Sequence, residues 1–330
     1  MIRPATGGSG RPSGQQPAPD LGSSPILREV AAGLAVPQKE LSPKYFYDHR
    51  GSELFEEITR LPEYYPTRAE RSILEAWMPE LVARLGTRTL LELGAGSAEK
   101  SRVILDAMRA AGTAERYVPI DVSATFLGQT AARLRREYPG LAVEPAVADI
   151  AEELNLPRRF PRPALFAFLG STIGNFYPPS AIRLLGRVRA AMEPGDRFLM
   201  GADLRKNVAL IEAAYNDSRG VTAEFNRNML RVLNQELGAD FDPGAFGHLA
   251  FYDTVAHRIE MHLVSAGRQT VSIPGIGDVE FADGETLRTE ISCKHDRESV
   301  AALFEPAGLR IESWRTDPND LFALVVGAPV

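Results

Sequence analysis

From Thr87 onward short apolar runs alternate with helical patterns, and this rhythm restricts the fold more than any other feature of the 330 residues. Residues 89–93 read as a strand, 97–111 as a helix, 117–120 as a strand, and the region around 124–138 as a helix. Strands at 141–147 and 164–169, a helix at 179–192 and a strand at 197–201 continue the series. Alternation at this spacing predicts a parallel sheet with right-handed crossovers, an open α/β fold. The rhythm stops after Asp203. Residues 206–237 read as two helices, and 249–264 and 269–281 as β-hairpin material; a helix at 299–307 and strands at 309–316 and 321–327 close the sheet. The expected architecture is a core sheet interrupted by an insertion.

Before residue 87 the pattern is different. Residues 1–25 are crowded with Gly, Pro, Ser and Gln, cannot offset the entropy of ordering, and read as a disordered tail without a signal-peptide core. Order is expected from about Ile26, with an extended aromatic segment at 41–47 and a helix at 51–60. Pro62 and Pro66 forbid its continuation, and a second helix, 68–85, is expected to restart with Thr67 as its N-cap.

Composition narrows function by exclusion. The net charge of -6 gives no basic footprint for nucleic acid. The single cysteine, Cys293, excludes an intramolecular disulfide framework and a cysteine-rich zinc site; the five histidines form no ligand array, so no metal is expected. No run approaches the roughly 20 apolar residues of a membrane span. A cytoplasmic protein acting on a small molecule is expected, with no nucleic-acid or membrane partner.

The first strand leads into Gly94-Ala95-Gly96-Ser97, a turn that lets the backbone approach a ligand closely. Glu99 stands where a dinucleotide fingerprint has its third glycine, and a carboxylate beside a pyrophosphate disfavours NAD or FAD. Asp121 ends the second strand, 27 residues beyond Gly94, and can accept from both ribose hydroxyls; Asp149 follows the third strand and can accept from an adenine amino group. Adenine and ribose recognition without a phosphate points to S-adenosylmethionine, hence to a methyltransferase releasing S-adenosylhomocysteine.

Five ordered segments carry a further likeness: Lys44-Tyr45-Phe46-Tyr47-Asp48 with Gly51-Ser52; Leu61-Pro62-Glu63-Tyr64-Tyr65-Pro66-Thr67-Arg68; Glu92-Leu93-Gly94 with Glu99-Lys100; Gly170-Ser171-Thr172-Ile173-Gly174-Asn175-Phe176; and Arg288-Thr289-Glu290-Ile291-Ser292. From about Ser42 to the C-terminus the chain resembles the L-histidine Nα-methyltransferases of ergothioneine biosynthesis. The resemblance implies a Rossmann-like class I S-adenosylmethionine-dependent core and a discontinuous α+β substrate-binding domain. It implies three methyl transfers to the α-amine of histidine, giving hercynine. Domain limits follow as a tail at 1–25, a substrate-binding domain at 26–67 plus 205–290, and a core at 68–204 plus 291–330. Gly94, Gly96, Lys100, Asp121, Asp149 and Ile150 fall at cofactor positions, Ile150 replacing an aromatic. Tyr47, Gly170 and Asn175 fall at the reacting centre, and Tyr64, Tyr215, Met261, Glu290 and Ser292 at substrate positions. The segment Cys293-Lys294-His295 departs from the family pattern.

The chemistry suits these residue types. Tyr64 and Tyr215 can donate to a carboxylate, and Asn175 can both donate and accept. Glu290 can accept from an imidazole N–H and cannot satisfy an aliphatic chain, Ser292 can serve the other ring nitrogen, and Met261 can pack on the ring. Tyr47 orients the amine and is a poor base at neutral pH. Taken singly, the tyrosines also suit packing, Asn175 a turn, Glu290 an exposed strand face, and Lys100 either a solvated helix or the cofactor carboxylate. The alternative function is the same transfer to a related amino acid or natural-product amine. Histidine and its mono- and dimethyl forms are the expected ligands, and a monomer the expected state.

Overall fold

The computed structural model describes residues 24–330. The tail expected at 1–25 lies almost wholly outside them, and Pro25 already opens the first helix, α1 (Pro25–Ala35). A 3-10 turn at Pro43–Phe46 leads to α2 (His49–Ile58) and α3 (Tyr65–Leu85). The α3 helix starts earlier than expected: Tyr64, not Thr67, is its N-cap. Pro66 falls in its first turn, where a missing N–H costs nothing and the fixed φ suits the helix.

The alternating region follows as β1 (Thr89–Leu93), α4 (Ser101–Ala110), β2 (Arg116–Asp121), α5 (Ala124–Glu137), β3 (Ala142–Val143), β4 (Ala146–Val147), β5 (Ala164–Phe168), α6 (Pro178–Ala191) and β6 (Arg197–Asp203). Two boundaries differ from expectation. The glycine turn extends through Ala98, left-handed at φ 57°, so α4 begins at Ser101. The single strand expected at 141–147 is split in two: Glu144 and Ala148 donate to Tyr117 and Asp121 of β2, and Pro119 between them has no N–H to give across the gap.

The insertion supplies α7 (Val208–Ala213), α8 (Val221–Leu237), β7 (Phe246–Asp253), β8 (Arg258–Ser265), β9 (Gln269–Ile273), β10 (Gly277–Phe281) and β11 (Thr286–Cys293); α9 (Arg297–Phe304), β12 (Leu309–Thr316) and β13 (Phe322–Pro329) close the chain. The main sheet runs β12-β13-β6-β5-β1-β2-β3, with β4 also on β2. Strands β1 to β6 pair in parallel, and β13 is antiparallel to β6. Every residue of β1 and β5 is buried, as expected of strands covered on both faces. Smaller sheets, β11-β8-β7 and β10-β9, lie in the insertion.

Apolar burial divides into three clusters. Two flank the main sheet; one includes Ile120, Phe166 and Phe168, the other Leu74, Leu90 and Leu165. The third joins the N-terminal segment (Val30, Phe46, Leu54, Ile58) to the insertion (Ile211, Phe225, Met229, Met261, Leu287). Phe46 stacks on Phe225 at 4.4 Å between ring centroids, and Asn228 of α8 donates to the Asp48 cap of α2 at 2.8 Å. Strand β11 runs across the boundary expected at 290/291 and carries the chain from this cluster back to the main sheet. No helix among the described residues is long and apolar enough to cross a membrane.

Candidate active site

Parallel register aligns the carboxyl ends of the central strands: Leu93 lies beside Ile120 and Phe168, and Asp121 beside Val147. Strand order reverses here, β1 leading outward to β2 on one side and flanked by β5 on the other. Open α/β sheets bind ligands in the crevice beyond such a reversal. Gly94 and Gly96 take φ of 66° and 51°, conformations that side chains resist. The Gly96 N–H donates to Asp121 Oδ2 at 2.9 Å, and the Ser123 N–H to Oδ1 at 3.1 Å. Asp121 keeps free lone pairs, and the space where a Gly96 Cβ would stand is open. An acceptor above an uncovered glycine turn fits a nucleoside with its ribose hydroxyls. Asp149 accepts from the Ala151 N–H at 2.9 Å and from Lys44 Nζ at 2.9 Å, a contact from the N-terminal segment. Ile150 packs against the cluster containing Ile120 and Phe168.

Lys100 takes a position between its two sequence readings. Its ammonium pairs with fully buried Glu70, whose carboxylate also accepts the Gly170 N–H at 2.8 Å. Gly170 and Lys100 are thus fastened at one point, at the mouth of β5.

Tyr47, Tyr64, Gly170, Asn175, Tyr215, Met261, Glu290 and Ser292 all line one cleft. Its walls come from the N-terminal segment, the 170–175 turn, α8 and the small sheet. The 170–175 turn reaches β11 because Gly174 has no side chain: a Cβ there would stand 2.8 Å from the Cys293 carbonyl oxygen. Cys293 is half-buried on this strand.

Glu290 faces the cleft through a β-bulge. Arg288 pairs with His262, but Glu290 pairs with Met261 instead of Glu260, so the register slips at Thr289. Simple alternation would set Glu290 on the face of Arg288; the extra residue re-aims it inward beside Met261. The Thr289 hydroxyl, fully buried, lies 2.7 Å from Asn226 Oδ1 on α8 and 3.1 Å from the Met261 carbonyl, pinning the bulge.

The cleft is apolar on one side and charged on the other. Tyr47 and Tyr64 meet Phe55 edge-on at 5.8 and 6.2 Å, and Phe225 completes this aromatic wall. Burial pushes Glu290 up to about 7, with Lys294 opposing. Burial, then the Glu290 and Asp121 carboxylates, raise the Tyr47 phenol well above its ordinary value, and burial does the same for Tyr64. Both stay protonated at neutral pH. Behind Ser292 lies a charged knot. Lys294 Nζ contacts Asp203 Oδ2 at 2.9 Å, Tyr215 Oη at 3.0 Å and Ser292 Oγ at 2.9 Å. Asp203 also pairs with Lys206 and accepts from Tyr65 at 2.9 Å. Among the described residues no group of three His, Cys, Asp or Glu could hold a metal ion.

Phe55, Phe225, Asp203 and Lys294 line the cleft without having been singled out as site residues. Lys294 carried a readable signal, since it continues the every-second-residue spacing of Glu290 and Ser292. Phe225 carried none, because its helix meets the cleft only through tertiary packing.

This strand order, with an aspartate-flanked glycine turn at its reversal and a cleft beside it, defines a class I methyltransferase acting on a small molecule. The CcbJ methyltransferase of Streptomyces caelestis shares the fold, at a TM-score of 0.51 and 15% identity, over 88% of this chain and 100% of that one. The chain belongs to the S-adenosylmethionine-dependent histidine-specific methyltransferases, whose family model matches residues 26–328. It is 46% identical to a histidine N-alpha-methyltransferase of Mycobacterium tuberculosis, over 94% of this chain and 96% of that one. The enzyme of the same name from Mycolicibacterium smegmatis is 45% identical over 93% of this chain and 96% of that one. The Neurospora crassa ergothioneine biosynthesis protein 1 is 28% identical over 84% of this chain but only 32% of that longer protein.

Proposed function

We propose that the chain transfers three methyl groups in succession to the α-amine of L-histidine, forming hercynine, the first step of ergothioneine biosynthesis. The observation that carries this reading is Glu290, a carboxylate turned by a bulge into a cleft beside Met261 and Ser292. An ionised carboxylate accepts and never donates, so it matches a ring N–H and penalises side chains without one. The glycine turn at Gly94 and Gly96 with Asp121 and Asp149 holds S-adenosylmethionine, whose cationic sulfur supplies an activated methyl without need of a metal or covalent intermediate.

The remaining roles follow from which groups are free. Tyr64 and Asn175 take the substrate carboxylate as donors; Tyr215, whose hydroxyl contacts Ser292, supports the ring end. Tyr47, kept protonated by its burial and by the Glu290 and Asp121 carboxylates, accepts an amine N–H on its oxygen and orients the nitrogen; it is not the base. Gly170, fixed by Glu70, lets the amine approach beside Asn175. Alignment of reactants is the main catalytic contribution of these residues. The aromatic wall excludes water, and the proton leaves through solvent at the cleft mouth.

We further read residues 26–67 with 205–290 as a substrate-binding unit on a core of 68–204 with 291–330, acting as a monomer. The apolar cluster shared by the N-terminal segment and the insertion supports this division. The test of the function is purified protein with S-adenosylmethionine and each of the amino acids, read by mass spectrometry. Histidine should gain one, two and then three methyls. No gain on histidine, or a stronger gain on another amino acid, overturns the reading.

A further inference from the structure

Lys294 is 2% exposed and lies just beyond β11. An ammonium has three protons. Here Asp203, Tyr215 and Ser292 take all three, so none remains for a ligand. Asp203 keeps Lys206 and Tyr65 as further partners, which leaves the knot charged and hydrogen-bonded without help from the cleft. Tyr215 Oη lies 2.9 Å from Ser292 Oγ, and a phenol is the better donor of the two. Ser292 Oγ therefore receives both Lys294 and Tyr215. A hydroxyl oxygen has two acceptor sites, and both are filled; only its own proton remains, and it can only be given. Two residues earlier on the strand Glu290, when ionised, offers only acceptors.

We propose that Lys294 is a positioning residue for ring recognition: by filling the acceptor sites of Ser292, directly and through Tyr215, it fixes that hydroxyl as a donor to the bare imidazole nitrogen, while Glu290 takes the ring N–H. The cleft thereby selects a ring with one N–H and one lone pair. This rests on the reading that Glu290 and Ser292 face the imidazole. Without the ammonium, Ser292 can turn its proton to Tyr215 or into the cleft, and the demand for a ring acceptor relaxes.

The experiment compares L-histidine with alanines bearing a pyrrol-2-yl or pyrrol-3-yl ring, which keep the N–H and replace the bare nitrogen by C–H. The parent protein should prefer histidine in kcat/KM by about 100-fold or more, as sites built on buried hydrogen bonds do. Lys294→Met should raise KM for histidine about tenfold or more, change kcat less than about threefold, and cut that preference below about tenfold. Ser292→Ala should do the same, and the double variant should be no worse than either single one, since both remove one interaction. Retained preference in Lys294→Met, or additive losses in the double variant, overturns the proposal. Calorimetric affinity for S-adenosylmethionine reports whether each variant is folded. If Lys294→Met is not, Lys294→Gln, neutral but still a donor, is judged in its place by the KM and preference for histidine. If Ser292→Ala leaves this preference intact and Glu290→Ala leaves kcat/KM for histidine intact, the site reading itself fails; if Ser292→Ala abolishes the preference and the Lys294 variants do not, only the role of Lys294 fails.

Discussion

Among the described residues Glu290 is held by no hydrogen bond to another side chain, and its elevation to about 7 from an ordinary 4.5 is a stability statement as well as a chemical one. The folded chain binds this proton more tightly than the unfolded chain, so its contribution to stability is full below about pH 4.5 and is lost as pH rises through 7. Glu290→Gln should therefore be more stable than the parent at pH 8, by on the order of 1–3 kcal/mol, and indistinguishable from it near pH 4. Chemical denaturation at the two pH values checks this; a variant no more stable at pH 8 would refute the burial of charge. The same variant should lose about 100-fold or more in kcat/KM for histidine, because an amide can present a donor where the ring N–H arrives. Stability gained with activity lost at one residue is the signature expected of a binding group.

At the scale of elements, two close contacts bring the cleft together. The bulge in β11 depends on the Thr289 hydroxyl, which reaches Asn226 and the Met261 carbonyl. Thr289→Val keeps the shape and removes the donor, leaving buried acceptors unpaired. It should cost about 1–3 kcal/mol and lower selectivity for histidine over other amino acids. Unfolding curves beside the amino-acid panel test both parts; unaltered selectivity would mean the bulge does not need this pin. The 170–175 turn depends on Gly174. A methyl at this position would meet the backbone of Cys293, which cannot turn aside as a side chain can. Gly174→Ala should lower kcat/KM for histidine about tenfold or more by displacing Asn175, as misplaced reacting groups do. Affinity for S-adenosylmethionine should stay near the parent value, since the glycine turn and Asp121 lie on other strands.

For the whole molecule, the cleft takes walls from segments far apart in sequence, so ligand and fold are coupled. Saturation at 100 times Kd with either small molecule should add about 2.7 kcal/mol to stability. Hydrogen exchange on adding histidine should slow together at residues 47–64, 170–175 and 286–293. Protection confined to one of these would contradict a single cleft built from all three. The contact of Lys44 with Asp149 ties the N-terminal segment to the cofactor edge of the sheet. This pair is partly exposed and contributes at most about 1 kcal/mol, so the aromatic contacts around Phe225 do more to hold that segment.

The order of strands and helices in the core was legible because apolar period and glycine turns act locally. Asp121 and Asp149 could be placed at strand ends for the same reason, and the ordered likeness to a known family carried the eight cleft residues further. Other features were decided by tertiary structure alone. Thr67 could not act as N-cap once Pro66 had entered the first turn of α3, a boundary set by how the aromatic segment packs. The inward aim of Glu290 depends on one extra residue in β11, invisible to an alternation count and imposed by Asn226 on a distant helix. Phe225 joins the wall because α8 packs on α2, and Lys294 is charged in the interior because Asp203, at the end of a different sheet, lies against it. Local pattern fixes which face of an element is apolar; only the packed chain determines which elements meet, and a binding cleft is made of those meetings.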